Sequence, residues 1–158
     1  MHRPGAPLVL VNAWDAASAR VIVGAGAPAI ATTSAGMAFA LGYPNGQRIW
    51  PDEILEVVAG AVDVPVTADM EAGYGDSAGD AAATAGGVVA AGAVGLNVED
   101  TPEAGGLLSV EHLVQKIFAV REVADQTGVL LVLNARVDVF IGEIGAPGAH
   151  DRARTRVS

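Results

Sequence analysis

The stretch VPVTADMEAGYG, residues 64–75, decides how the rest of the chain is interpreted. It begins as a run of β-forming apolar residues and ends as a glycine-rich loop. Asp69 and Glu71 lie two residues apart near the end of the run, so alternation along a strand directs both carboxylates to one face. Two negative charges held that close repel each other unless a cation or a shared proton compensates them. The stretch therefore predicts a buried strand carrying a metal site or strongly shifted carboxylate pKa values.

Four more segments are apolar first and polar last, at residues 8–12, 29–34, 94–98 and 129–139. Between them lie predicted helices at residues 16–23, 52–61, 80–91 and 110–124, the first capped by Asp15 and the last by Ser109. Residues 35–51 are predicted as a long loop. Strand and helix alternate five times with no hairpin signal, which predicts an α/β fold with a parallel sheet.

The polar strand ends fall on one alternate face of each strand. A (β/α)₈ barrel packs its interior with side chains and places its chemistry at this rim, but a doubly wound open sheet also binds ligands at carboxyl strand ends. The pattern alone leaves both architectures open. The residues in question are Asn12, Ser34, Asp69, Glu71, Asn97, Glu99, Asn134, Arg136 and Asp138.

Five βα units in 158 residues are too few for an eight-stranded barrel, which takes about 250 residues. We therefore expect residues 1–140 to form the first five βα units of a barrel, a partial (β/α)₈ fold. Residues 141–158 contain Gly, Pro and Arg without an apolar period, which predicts an irregular or disordered tail.

The net charge of −9 gives little electrostatic support for binding nucleic acid or an anionic membrane. The absence of cysteine removes thiolate metal ligands and a thiol nucleophile. No apolar run approaches the roughly 20 residues needed to span a bilayer, and the first residues lack a signal-peptide pattern. We expect a cytoplasmic protein with a small-molecule ligand.

Asp69, Glu71 and Glu99 offer only oxygen ligands, which favour Mg²⁺, or Mn²⁺, over zinc. The alternative is that these carboxylates merely cap loops and helices. Arg136, late in an apolar strand, would hold a substrate carboxylate or phosphonate, or else form an internal ion pair with Asp138 or Glu99.

Ser34, Ala35 and Gly36 form a predicted turn of small residues after the second strand. Backbone N–H groups in such a turn can bind an anionic ligand. From the spacing alone, an ordinary tight turn is the favoured explanation of the same residues.

Six motifs in order, NAWDAASA, TTSAG, LGYPNGQ, TADMEAGYG, GLNVEDT and NARVD, resemble the isocitrate lyase/phosphoenolpyruvate mutase superfamily, most closely its phosphonomutase-like members. The resemblance implies a (β/α)₈ barrel in a homo-oligomer. It also implies a Mg²⁺-dependent lyase or mutase that makes or breaks a C–C or P–C bond in a small 2-oxo or 2-hydroxy carboxylate or phosphonate, through an enolate.

Carried over by resemblance, Asp69 binds the metal directly, and Glu71 and Glu99 hold metal-bound waters. Ser34, Ala35 and Gly36 bind the substrate carboxylate, and Arg136 binds its anionic end. Asn45 occupies a catalytic position in the gating loop, where many mutase-like relatives have Asp.

The lyase branch carries a catalytic cysteine after the Glu99 strand, whereas this chain has TPEAGGLLS there. That departure counts against isocitrate or methylisocitrate cleavage by the cysteine route. The alternative function is an inactive partial barrel that only binds carboxylates or oligomerises.

Overall fold

Five parallel strands form one sheet in the order in which they occur along the chain. The computed structural model describes residues 1, 3–46, 55–56, 58–142 and 148–157. Parallel neighbours need crossover connections, and helices supply them. The strands are β1 (Val11–Ala13), β2 (Ile30–Thr32), β3 (Val66–Asp69), β4 (Gly95–Glu99) and β5 (Val132–Arg136). The predicted α/β class with a parallel sheet is confirmed.

The register of the sheet aligns the polar ends of three strands. Asp69 of β3 lies beside Asn97 of β4, and Glu99 of β4 lies beside Arg136 of β5. Because all strands run the same way, their carboxyl ends lie along one edge of the layer. This register brings the acidic residues singled out in the sequence to one place.

Four of the described helices begin at polar caps that the sequence carries. Asp15 accepts a hydrogen bond from the Ser18 N–H in a capping box, Ser77 and Asp80 form a second box, and Ser109 caps the longest helix, which ends at left-handed Gly128. The helices are α1 (Ala16–Gly24), α2 (Ser34–Ala40), α3 (Ala78–Ala90), α4 (Val110–Thr127), α5 (Val139–Gly142) and α6 (Ala149–Val157).

The core is built from small and branched side chains of the sheet and the helices packed on it. Ile30, Leu96 and Val98 are fully buried strand residues, and Val88 of α3 and Val120 of α4 meet them from the helical layer. Helices α3 and α4 also pack against each other. The three central strands, β2, β3 and β4, are buried on both faces, which explains their apolar character, whereas β1 and β5 keep exposed residues.

Two predicted elements differ from the structure. Residues 34–40 form helix α2 rather than the start of a loop, because the Thr33 hydroxyl caps the Gly36 N–H. The long predicted strand at residues 129–139 shortens to β5, and its last apolar residue begins α5. Val and Leu runs do not show where a strand ends, so the sequence pattern overestimated its length.

The tail also contains a helix. Residues 149–157 form α6, although residues 141–158 were predicted to be irregular. Six of its nine residues are polar or charged, so its hydrophobic periodicity is too weak to have predicted a helix. Of the predicted helix at residues 52–61, residues 55–56 and 58–59 are helical, and residues 51–54 and 57 lie outside the described residues. Within the described chain, no helix has the length and apolar character needed to cross a membrane.

Candidate active site at the strand ends

Asp69, the last residue of β3, is buried and accepts four hydrogen bonds. Its Oδ2 accepts from the Ser34 N–H at 3.0 Å and from the Ser34 hydroxyl at 2.8 Å. Its Oδ1 accepts from the Asn97 side-chain amide at 2.8 Å and from the Glu71 N–H at 3.2 Å. All four donors are neutral, so they orient the carboxylate and stabilise its charge without cancelling it.

The loop after β3 is held in an unusual backbone conformation. Glu71 and Tyr74 have φ angles of 47° and 54°, in the left-handed region that side chains other than glycine seldom adopt. The Tyr74 hydroxyl donates to Glu71 Oε1 at 3.3 Å. Burial, followed by the negative charges of Glu71 and Asp69, raises the pKa of Tyr74 far above its ordinary value. Tyr74 therefore stays protonated and serves as a donor beside the acidic pair.

The ends of β4 and β5 carry a charged network. The Arg136 guanidinium donates to both oxygens of Asp138, at 2.7 and 2.8 Å, and also pairs with Glu99. The Asp138 N–H donates to the fully buried Asp100 at 2.8 Å. The internal ion pair considered for Arg136 thus exists with both proposed partners. Its side chain keeps 36% of its surface exposed, which leaves room for an anionic ligand.

The predicted site residues fall into two groups. Ser34, Asp69, Glu71, Asn97, Glu99 and Arg136 form one continuous set at the strand ends. Ala35 and Gly36 lie in the first turn of α2 rather than in a free turn, and Asn45 is exposed beyond α2, outside the hydrogen bonds around Asp69. Asn12, Asn97 and Asn134 line a cavity of about 650 Å³ against the sheet.

Lys116 is a residue that the sequence analysis missed. It is fully buried, and its ammonium donates to the carbonyls of Ala72 and Gly75 in the loop that carries Glu71. The signal was present in α4, where the spacing of Leu113, Lys116, Val120 and Ala124 defines one buried face. A lysine on such a face needs acceptors inside the fold.

The chemistry of the donors fits a divalent cation of the Mg²⁺ type. Among the described residues, no three Asp, Glu or His side chains converge on one point. Mg²⁺ is commonly bound by one or two carboxylates and keeps several waters, so one direct ligand with water-mediated neighbours suffices. Both Asp69 oxygens already accept two hydrogen bonds, so a direct bond to a metal would replace one of these four donors.

Comparison with protein families assigns the whole chain. Residues 1–158 match the model of a single family, described as phosphoenolpyruvate phosphomutase. The chain belongs to the phosphoenolpyruvate phosphomutase family. Its resemblance to the isocitrate lyase/phosphoenolpyruvate mutase superfamily, drawn from six motifs, is thereby confirmed.

The relatives of this chain with a named activity include lyases. A 2-methylisocitrate lyase from Salmonella typhimurium is 32% identical over 163 residues, covering 96% of this chain and 54% of the lyase. The solved structure of a proposed phosphonomutase from Burkholderia cenocepacia J2315 is 40% identical with a TM-score of 0.90, covering 95% of this chain and 63% of that one.

A phosphonopyruvate hydrolase shares the fold. Its structure, solved in complex with oxalate and Mg²⁺, has a TM-score of 0.79 at 22% identity, covering 93% of this chain and 53% of the hydrolase. The chain spans about half the length of the curated relatives it matches. This chain matches 63% of the phosphonomutase structure with a TM-score of 0.90. The match confirms the predicted fold class, a partial (β/α)₈ barrel.

Proposed function

We propose that the protein takes part in a Mg²⁺-dependent lyase or phosphonomutase-like reaction. In this proposal a C–C or P–C bond of a small 2-oxo or 2-hydroxy carboxylate or phosphonate is made or broken through an enolate. A homo-oligomeric state and a cytoplasmic location stay predictions. Family membership supports the reaction class, and the charge distribution at the strand ends supports the metal.

The observation that carries the proposal is an excess of buried negative charge. Five carboxylates at the ends of β3, β4 and β5 are each at most 8% exposed: Asp69, Glu71, Glu99, Asp100 and Asp138. Among the described ion pairs at this rim, Arg136 supplies the positive charge, to Glu99 and Asp138. Buried carboxylates held this close repel one another, so a divalent cation bound to Asp69 would stabilise the cluster.

Asp69 is the proposed direct ligand, and Glu71 and Glu99 the proposed partners of metal-bound waters. When bound, the ion would supply a Lewis acid that stabilises negative charge on an enolate oxygen. The protein's own part is to fix the carboxylate: Ser34 and Asn97 orient the two Asp69 oxygens from opposite sides. They hold the carboxylate in a fixed orientation, although one of the four donors would give way to the ion.

Substrate orientation is assigned to the residues around this centre. Ser34, Ala35 and Gly36 are proposed to bind the substrate carboxylate. The Ser34 hydroxyl has one proton, which it donates to Asp69, so it would turn from Asp69 to donate to the ligand. Arg136 is proposed to hold the other anionic end with the exposed part of its guanidinium. Asn45 is proposed to contribute from the segment that follows α2, where its side-chain amide can donate a hydrogen bond but cannot serve as a carboxylate base.

Calorimetric titration of Mg²⁺ and oxalate, an enolate mimic, tests the proposal. We expect oxalate to bind only with Mg²⁺ present, and Asp69→Asn to weaken binding at least about 100-fold, because a neutral amide cannot replace the charged ligand. Asp63→Asn is the matched control, since Asp63 is an exposed carboxylate preceding β3. Binding that survives Asp69→Asn unchanged would contradict the proposed metal ligand.

A screen of 2-oxo and 2-hydroxy acids then separates an enzyme from a binding module. Release of a 2-oxo acid product that depends on Mg²⁺ and Asp69 supports the proposed reaction. Metal-dependent binding with no turnover of any candidate would assign the alternative function, a carboxylate-binding fragment.

A further inference from the structure

Two residues of α4, one helical turn apart, hold the loop that follows β3. The Lys116 ammonium donates to the Ala72 carbonyl at 2.8 Å and to the Gly75 carbonyl at 2.6 Å. The His112 Nε2–H donates to the Asp76 carbonyl at 2.5 Å. Residues four apart on a helix lie on the same side, so both contacts come from one face of α4. Together they engage three carbonyls within five residues of the loop.

Lys116 is unusually buried for a lysine. It is the chain's only lysine, and none of its surface is exposed. Burial lowers its pKa, although Asp76 and Asp80 favour the charged form. A buried ammonium needs acceptors to offset its lost hydration, and the two loop carbonyls provide them. The residue therefore links α4 firmly to this loop.

The loop has little freedom on its opposite side. A Cβ added to Gly73 would lie 2.9 Å from the Ala81 Cβ, and one added to Gly75 would lie 2.5 Å from the Asp80 Cβ. The loop is thus packed against the first turn of α3 while α4 holds its carbonyls. Left-handed conformations such as those of Glu71 and Tyr74 persist only where the surroundings enforce them.

We propose that Lys116 is a positioning residue, which with His112 fixes the loop so that Glu71 and Tyr74 are presented beside Asp69. It touches neither Asp69 nor a ligand and acts through the Ala72 and Gly75 carbonyls. The proposal deepens the proposed function, because the ligand readout depends on a metal site at Asp69. The conformation of the loop can be measured without that assumption.

The test compares Lys116→Met, Lys116→Arg and His112→Ala with the wild type. Lys116→Met keeps an unbranched apolar stem, Lys116→Arg restores a cation, and Gln115→Met is the control at an exposed neighbouring position of α4. Hydrogen exchange of the amides of residues 71–77 reports the loop, with the amides of β4 as internal reference. Calorimetry with Mg²⁺ and oxalate reports the site.

We expect Lys116→Met to speed exchange of the loop amides by about tenfold or more, because two charge-assisted hydrogen bonds are lost. The β4 amides should change by less than about twofold. The affinity for oxalate with Mg²⁺ should fall about tenfold and recover in part in Lys116→Arg. His112→Ala should give a smaller change of the same kind, and Gln115→Met none.

Unchanged loop exchange in Lys116→Met would overturn the proposal, as would faster exchange with unaltered affinity, since Lys116 would then be structural only. If Lys116→Met does not fold, His112→Ala decides by the same two readouts. If the wild type binds no oxalate with Mg²⁺, the proposed function fails. Loop exchange then decides only the structural half of the proposal, that Lys116 holds the loop: exchange must rise in Lys116→Met and recover in Lys116→Arg.

Discussion

The ends of β3 and β5 hold buried carboxylates in opposite ways. At β3, Asp69 is surrounded by four neutral donors from Ser34, Glu71 and Asn97. At β5, Asp138 is held by the two-pronged guanidinium of Arg136, which also pairs with Glu99. Hydrogen bonds from neutral groups leave the carboxylate charge in place, whereas an ion pair neutralises it.

Under the proposed function, this difference would let one rim hold both a cation and an anionic ligand. The Asp69 carboxylate keeps its negative charge among neutral donors, which favours a divalent cation. At the β5 end, Glu99 and Asp138 share the charge of the Arg136 guanidinium. The Arg136 side chain keeps 36% of its surface exposed, so it can also contact an anion. Single substitutions can disturb each end separately.

Removing the guanidinium should abolish the difference between the two ends. Arg136→Met leaves Glu99 and Asp138 buried without their cation. Breaking a buried pair costs about 3–5 kcal/mol, and partial exposure of Arg136 lowers our expectation to about 2 kcal/mol in the free energy of unfolding by urea. Millimolar Mg²⁺ should recover part of this loss by binding the freed carboxylates.

Arg121→Met is the control for that measurement, because Arg121 is exposed and donates to the Leu131 carbonyl from outside the rim. We expect a change below about 1 kcal/mol there. Equal losses of unfolding free energy in the two variants would mean that the Arg136 ion pairs stabilise the fold no more than the exposed Arg121 does.

Replacing Thr32 should loosen the β3 end without altering its charge. The buried Thr32 hydroxyl accepts from the Asp69 N–H at 2.9 Å, so Thr32→Val leaves that N–H unpaired. We expect a loss of about 1–2 kcal/mol in unfolding free energy. Thr67→Val on the same sheet is the control, since within the described structure its hydroxyl makes no hydrogen bond. A neutral result at Thr32 would show that the backbone of β3 needs no such anchor.

Alkaline pH should weaken the β3 end through Tyr74. Its pKa is raised in the folded protein, so up to about pH 10 both states keep the proton and its contribution to stability is complete. Above about pH 10 the unfolded chain ionises first, and stability falls by less than about 1 kcal/mol at pH 10.5. Tyr74→Phe should remove this component of the slope, whereas Tyr43→Phe, at an exposed tyrosine, should not. Identical slopes in all three proteins would contradict the buried phenol.

Local signals predicted much of the fold. Asp15 and Ser109 were identified as caps and act as caps, and the period-two alternation placed Asp69, Asn97 and Glu99 at neighbouring strand ends. These features succeed because capping and strand alternation depend on residues close in sequence. The family resemblance supplied the barrel, which alternation alone could not distinguish from an open sheet.

Long-range contacts could not be predicted. Two partners of Asp69, Asn97 and Ser34, lie 28 and 35 positions away, and those of Lys116 lie more than 40 away. The local sequence at residues 34–36 did not indicate that Thr33 would cap a helix. It also did not indicate that the Ser34 hydroxyl would donate a hydrogen bond to Asp69. Tertiary contacts override such weak local preferences.

A crystal structure of the protein with Mn²⁺ and oxalate would show whether a cation binds at the β3 end, because the anomalous signal of manganese locates the ion. We predict one strong peak at bonding distance from Asp69, with Glu71 and Glu99 reached through waters and oxalate bound to the same ion. A peak elsewhere, or none at Asp69 when the ion is saturating, would contradict a cation site at the β3 end.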